Sequence, residues 1–191
     1  MMKEVEAEGG PKLILHRTVV MVGMMGSGKT AIGKALAARL GVPFLDSDQA
    51  IEEAAQASIA EIFERDGEKF FRRRETEVIA RLLNGPPGIL STGGGAFLAG
   101  RNRKLIQREG VAVLLDAPLS LLWERVRHKD TRPLLKTPDP KGTLARLFEE
   151  RRPKYAKAEL KIDVQPRASI EETTDRVIET LLGRPDILEA T

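Results

Sequence analysis

The chain has 191 residues, with 31 Lys and Arg against 28 Asp and Glu, a formal charge of +3, and 41% apolar and 31% charged residues. A single domain of this length buries roughly 70% of its unfolded surface, and the composition excludes a polycation, an acidic tail or a disordered polymer. Cysteine is absent, which excludes disulfides, thiolate metal sites and a cysteine nucleophile, and two histidines, His16 and His128, are too few for a multi-histidine metal centre.

The first residues carry Glu4, Glu6 and Glu8 and no apolar signal core, so residues 1–16 are expected to be an extension outside the fold, with Gly9-Gly10-Pro11 as a breaker. No apolar run approaches the ~18 residues of a membrane span, and a cytoplasmic location is expected. Strand and helix signals then alternate. Thr18–Val22 reads as a buried strand, Lys29–Leu40 as a helix stopped by Gly41, and Val42–Leu45 as a short strand ending in Asp46-Ser47-Asp48. Residues 49–84 read as two or three helices broken near Ser58 and Asp66-Gly67. Gly88–Ser91 is a strand running into Gly93-Gly94-Gly95, and Arg103–Glu109 is helical. Val111–Leu115 is a strongly apolar strand, followed by a helix over Leu119–Arg127. The proline- and charge-rich stretch His128–Pro140 reads as a loop. Gly142–Arg152 and Ser169–Leu182 are predicted helices, Leu160–Val164 the last strand, and residues 184–191 a tail. Strands separated by helices imply a mostly parallel α/β sheet, which places ligands beyond the C-terminal ends of its strands.

Three chemically loaded segments fall at such ends: 23–30, 46–48 and 93–95. Gly23-Met24-Met25-Gly26-Ser27-Gly28-Lys29-Thr30 matches GxxxxGK[ST] between an apolar strand and an amphipathic helix, the context in which the motif cradles the phosphates of a nucleoside triphosphate. Lys29 would neutralise β and γ oxygens, and the Thr30 hydroxyl would ligate Mg²⁺. Asp46 and Asp48, two apart, can divide the work: one holds Mg²⁺ through water and the other accepts a substrate proton. The bland alternative is that Asp48 caps the helix that follows. In Arg72-Arg73-Arg74 successive side chains fan out by about 100°, so at most two face one pocket; Arg72 can pair with Glu75, and Arg73 and Arg74 read as a solvated face. The glycine triplet permits close approach of a small polar ligand, or is merely a tight turn. Arg125, Arg127, Lys129, Arg132 and Lys136 crowd the 128–140 loop, and Arg151, Arg152 and Lys154 form a second cluster. Phosphoryl transfer needs such cations. Aromatic interleaving is too poor for a single-strand nucleic-acid platform, so no nucleic-acid partner and no membrane partner is expected.

The order of these segments resembles the shikimate kinase family. GMMGSGKT at 23–30, LDSD at 45–48, SIAEIFERDGEKFFRRRE at 58–75, STGGGA at 91–96, TRPLL at 131–135 and ERRPKY at 150–155 carry the resemblance, which spans residues 18 to 182. It implies a P-loop fold like that of nucleoside monophosphate kinases: a five-stranded parallel sheet flanked by helices, one domain over residues 17–183, and a mobile lid at about 128–141. The implied activity is ATP-dependent phosphorylation of the 3-hydroxyl of shikimate, by a monomer using Mg²⁺. By motif position, Gly26, Ser27, Gly28, Lys29, Thr30 and Ala31 would hold ATP. Thr30 would bind Mg²⁺ directly, with Asp46 and Ser91 orienting its waters. Asp48 would bind the ring hydroxyls and act as base. Arg72 and Arg151 would clamp the carboxylate beside Gly94 and Gly95. Arg132 would stabilise the transferring phosphoryl group. Arg127 and Arg167 would lie on the adenine side. Two departures stand out: Ala31 replaces a second hydroxyl common in the family, and the Arg127–Arg132 segment is short. The competing readings are another small-metabolite kinase, for gluconate or a nucleoside monophosphate, and a non-enzymatic nucleotide-dependent switch.

Overall fold

The computed structural model describes residues 10–129 and 132–191. Residues 1–9 of the expected extension and 130–131 of the expected lid lie outside them. The chain forms strand β1 (Leu13–Leu15), strand β2 (Thr18–Val22), helix α1 (Lys29–Leu40), strand β3 (Phe44–Asp46), and helices α2 (Ser47–Ala55), α3 (Ile59–Asp66) and α4 (Glu68–Leu83). Strand β4 (Ile89–Ser91), helix α5 (Gly100–Glu109), strand β5 (Gly110–Asp116) and helix α6 (Leu119–Val126) follow. Helix α7 (Pro140–Tyr155), strand β6 (Leu160–Asp163), helix α8 (Ile170–Leu182) and strand β7 (Leu188–Ala190) complete the chain. Single 3₁₀ turns at Ala96–Leu98 and Pro133–Leu135 lie between elements.

Five strands form a parallel sheet in the order β3-β4-β2-β5-β6. The central β2 reads Thr-Val-Val-Met-Val with every residue buried, as a strand covered on both faces requires. The register sets Asp46 of β3 and Met21 of β2 on either side of Ser91, so β2, β3 and β4 release their following loops at one edge. The main core surrounds this sheet. A second cluster (Ile51, Ile62, Phe71 and Val78) holds α2, α3 and α4 together beside it. Capping fixes where these helices start. The Asp46 carboxylate accepts from the Asp48 and Gln49 N–H groups, and Ser58 and Glu61 form a reciprocal capping box on α3.

The ends of the chain correct the expected boundaries. β1 and β7 pair antiparallel, Lys12 and Thr191 exchange backbone hydrogen bonds of 3.0 and 2.8 Å, and Ile187 and Leu188 are fully buried. Residues 12–16 and 184–191 therefore belong to the folded unit, because burying two large aliphatic side chains outweighs leaving the segment free. Helix α7 also exceeds its expected span. It opens at Pro140, capped by Asp139, and runs through Pro153 to Tyr155. No helix among the described residues is long and apolar enough to cross a membrane.

Candidate active site

A cleft of about 650 Å³ opens over the C-terminal ends of β2, β3 and β4. Met25 to Ile32 of the loop and α1 form its floor, with Asp46, Asp48, Ser91 to Gly94, Arg125, Lys129 and Arg132 around it, and Val164, Ala168 and Thr173 at the far end.

The floor is a phosphate cradle. Gly23, Gly26 and Gly28 hold φ of 147°, 82° and 101°, values that a side chain would strain, so the backbone wraps tightly before α1 begins. The Lys29 ammonium donates to the Gly23 and Met24 carbonyls at 2.8 and 3.0 Å, which stretches its stem back across the loop. Desolvation, then Arg132 and Arg151, bring its pKa down to about 8 against the opposing pull of Asp48. The Ser27 hydroxyl is buried without a hydrogen-bond partner among the described residues. Arg125 donates to the Gly26 carbonyl at 2.9 Å and so buttresses the loop from α6.

The opposite wall is built on the glycine triplet. An ideal Cβ on Gly93 would sit 2.9 Å from both Asp48 carboxylate oxygens, one on Gly94 would sit 3.3 Å from Arg151 Nη1, and one on Gly95 would sit 2.5 Å from Arg72 Nη2. Each glycine thus makes room for one of the three side chains that the sequence singles out. Arg72 is oriented by Glu75, which accepts from Nη1 at 3.0 and 3.2 Å and is almost fully buried. Burial raises the Glu75 pKa and Arg72 lowers it, with burial the larger effect. Burial, then Asp46, Glu75 and Glu52, push the Asp48 carboxyl up to about 6, with Lys29 pulling the other way. A half-buried carboxylate poised near neutrality beside an ammonium suits proton acceptance from a hydroxyl.

Asp48 does not cap α2. Asp46 does, through Oδ1, which leaves Asp48 in the first helical turn facing the cleft. Thr30, Asp46 and Ser91 all line the cleft. They offer two hydroxyls and one carboxylate, and no cluster of three His, Cys, Asp or Glu side chains exists among the described residues. That hard, sparse oxygen set suits Mg²⁺, which keeps waters and phosphate oxygens in its shell. Arg132 reaches the cleft from the 3₁₀ turn, its Nε buried and without a partner among the described residues.

Arg127 and Arg167 are not brought in. Arg127 is exposed just past the end of α6 and does not line the cleft. Residues two apart on a helix point roughly 200° apart, so the side that turns Arg125 onto the phosphate loop turns Arg127 away. Arg167 is exposed too, although its neighbour Ala168 lines the cleft. Arg125 was visible in the sequence as one of a crowd of cations, with nothing local to distinguish it from Arg127. Tyr155, whose hydroxyl donates to the Gly94 carbonyl at 2.6 Å, was likewise missed.

The profile described as shikimate kinase matches residues 25–182. A shikimate kinase of Ruegeria pomeroyi is 63% identical over 94% of this chain and 92% of its own. One of Cereibacter sphaeroides is 59% identical over 92% and 87%. Among solved structures, a shikimate kinase from Acinetobacter baumannii in complex with shikimate superposes with a TM-score of 0.82 at 36% identity, covering 87% of this chain and 93% of that one. A gluconokinase from Sinorhizobium meliloti superposes at 0.56 with 19% identity, which shows a shared fold and no more. Four of the six motifs line the cleft, and the other two reach its glycine wall from behind through Arg72 and Arg151, which do not themselves line it; with matches of this extent, the chain belongs to the shikimate kinase family.

Proposed function

We propose that the glycine triplet is the acceptor floor and the 23–30 loop the ATP floor of a phosphoryl transfer from ATP to the 3-hydroxyl of shikimate. One observation carries this assignment of sides: Asp48, Arg151 and Arg72 are each packed into the space left by one of three consecutive glycines. Two guanidinium groups match a planar carboxylate, and a carboxylate between them and Lys29 matches vicinal hydroxyls. A mononucleotide acceptor would need a stacking surface that this wall lacks among the described residues.

Asp48 accepts the proton of the attacking hydroxyl as the new O–P bond forms. The bond between the γ-phosphorus and the β,γ-bridging oxygen breaks, and the leaving ADP oxygen is balanced by Lys29 and the loop N–H groups. Thr30 would hold Mg²⁺ directly, and Asp46 and Ser91 through water; the ion supplies charge neutralisation on the phosphates. The segment 128–141 acts as a lid that brings Arg132 onto the transferring group and excludes water. The protein is taken as a cytoplasmic monomer, and no nucleic-acid partner is assigned because the cations around the cleft lack interleaved aromatics.

The test is ADP release from MgATP in the presence of shikimate, gluconate or AMP. Turnover with shikimate alone is expected, abolished by Lys29→Ala. Turnover with gluconate or AMP but not shikimate would overturn the assignment, and salt-sensitive retention on RNA without any turnover would favour a switch.

A further inference from the structure

The floor of the acceptor side has no side chains, so its shape rests on what holds its carbonyls. The Gly93 carbonyl accepts from Ala96 N at 3.1 Å, that of Gly95 from Leu98 N at 3.2 Å, and that of Ala96 from Asn102 Nδ2 at 2.9 Å. These three ties are local. The Gly94 carbonyl is held from 61 residues away, by the Tyr155 hydroxyl at 2.6 Å. Tyr155 is buried, and it lies one helical turn beyond Arg151 on α7, so phenol and guanidinium share a face. Both approach the same point: an ideal Cβ on Gly94 would lie 3.3 Å from Arg151 Nη1 and 3.8 Å from the Tyr155 oxygen. The helix reaches this place only because it continues through Pro153.

We infer that Tyr155 is a positioning residue for the acceptor, fastening α7 to Gly94 and thereby setting the gap between Arg151 and the Arg72–Gly95 side of the wall. The inference rests on the assignment of the triplet as acceptor floor. A carboxylate gripped by two guanidinium groups from different helices is sensitive to their spacing, and a single short hydrogen bond fixes the nearer helix. Without the hydroxyl, the Gly94 carbonyl loses its donor and the wall can open.

Tyr155→Phe keeps the buried ring and removes only the donor. The KM for shikimate is expected to rise about fivefold to tenfold, as for loss of a buried hydrogen bond, with kcat and the KM for ATP within about twofold of wild type. In an Arg151→Ala background the same substitution should cost less than about twofold, because its effect passes through Arg151. Equal rises for both substrates, an unchanged shikimate KM, or full additivity with Arg151→Ala overturns the inference. Tyr155 is the chain's sole tyrosine, so growth on 3-fluorotyrosine labels this position alone. Its ¹⁹F resonance should shift on saturation with shikimate and stay in place with ADP alone; a resonance indifferent to shikimate overturns the inference even if the phenylalanine variant fails to fold. Wild-type turnover of shikimate is the control: its absence would refute the acceptor assignment, whereas its presence with a silent Tyr155 would refute only the positioning role.

Discussion

The Arg72 guanidinium occupies the volume that a side chain on Gly95 would fill, with Nη2 2.5 Å and Nη1 2.7 Å from the ideal Cβ position. Arg72 cannot retreat freely, because Glu75 holds it from the other side. Gly95→Ala should therefore push the guanidinium off the acceptor floor and raise the KM for shikimate at least about tenfold, a loss of about 1.4 kcal/mol. The KM for ATP should barely move. Steady-state kinetics with each substrate varied in turn checks this, and a parallel rise in both constants would place Arg72 elsewhere in the mechanism.

Two titrations bound the activity. With the Asp48 carboxyl at about 6 and the Lys29 ammonium at about 8, kcat/KM for ATP, which reports the nucleotide-free enzyme, should fall on both sides of a narrow optimum between them. Stability follows a different sign. Between the ordinary carboxyl value of 3.8 and about 6 the folded chain binds more protons at Asp48 than the unfolded chain, so stability drops as pH rises through that window. Asp48→Asn removes the drop. The variant should lose turnover yet melt at a higher temperature than wild type at pH 7, with the gain shrinking towards pH 4; calorimetry at the two pH values measures it.

Arg132 and Arg72 should fail differently. Arg132 has a buried Nε without a partner among the described residues and reaches the cleft from the lid side, so Arg132→Ala is expected to lower kcat by about 10²-fold or more with a smaller effect on KM. Arg72→Ala strips a partner from the acceptor carboxylate and from buried Glu75, and should act mainly on the KM for shikimate. A pure KM effect at Arg132 would make it a binding residue.

On the nucleotide side, Arg125→Ala should raise the KM for ATP several-fold by loosening the Gly26 carbonyl, while Arg127→Ala should leave it within about twofold. Reversal of that order in nucleotide titrations would restore Arg127 to the adenine side.

How much of this was legible beforehand depends on the range of the interaction. The phosphate loop, with its strand before and helix after, is a local arrangement whose glycines, Lys29 and Thr30 are adjacent in the chain, and it could be read directly. The breaks at Ser58 and Gly67 were legible because a capping box and a glycine are themselves local. Asp46 and Asp48, two residues apart at the start of α2, are both favoured caps, so which one caps and which faces the cleft was open in the sequence. Helix phase also hid the difference between Arg125 and Arg127. The β1–β7 pair was illegible: strands of three residues whose partners lie over 170 positions away leave no periodicity of their own. Tyr155 was hidden by Pro153, which reads as a helix end but here lies within the last turn of α7.

Removing residues 184–191 would expose what Ile187 and Leu188 cover and should lower the melting temperature markedly, at about 1.5–3 kcal/mol for each buried side chain. Activity per folded molecule should be retained, because no residue of that segment lines the cleft. An unchanged melting curve would return the segment to the status of an appendage.

The Lys29 ammonium has three N–H groups and spends two on carbonyls of its own loop. At a pKa of about 8, a sizeable share of the resting molecules in mildly alkaline buffer carry this side chain as a neutral amine. A polyphosphate arriving on the remaining N–H restores the preference for charge, so docking of the nucleotide must draw a fraction of a proton from the medium. Its heat of binding above neutrality will then depend on the ionisation enthalpy of the buffer, giving the loop a calorimetric signature independent of turnover.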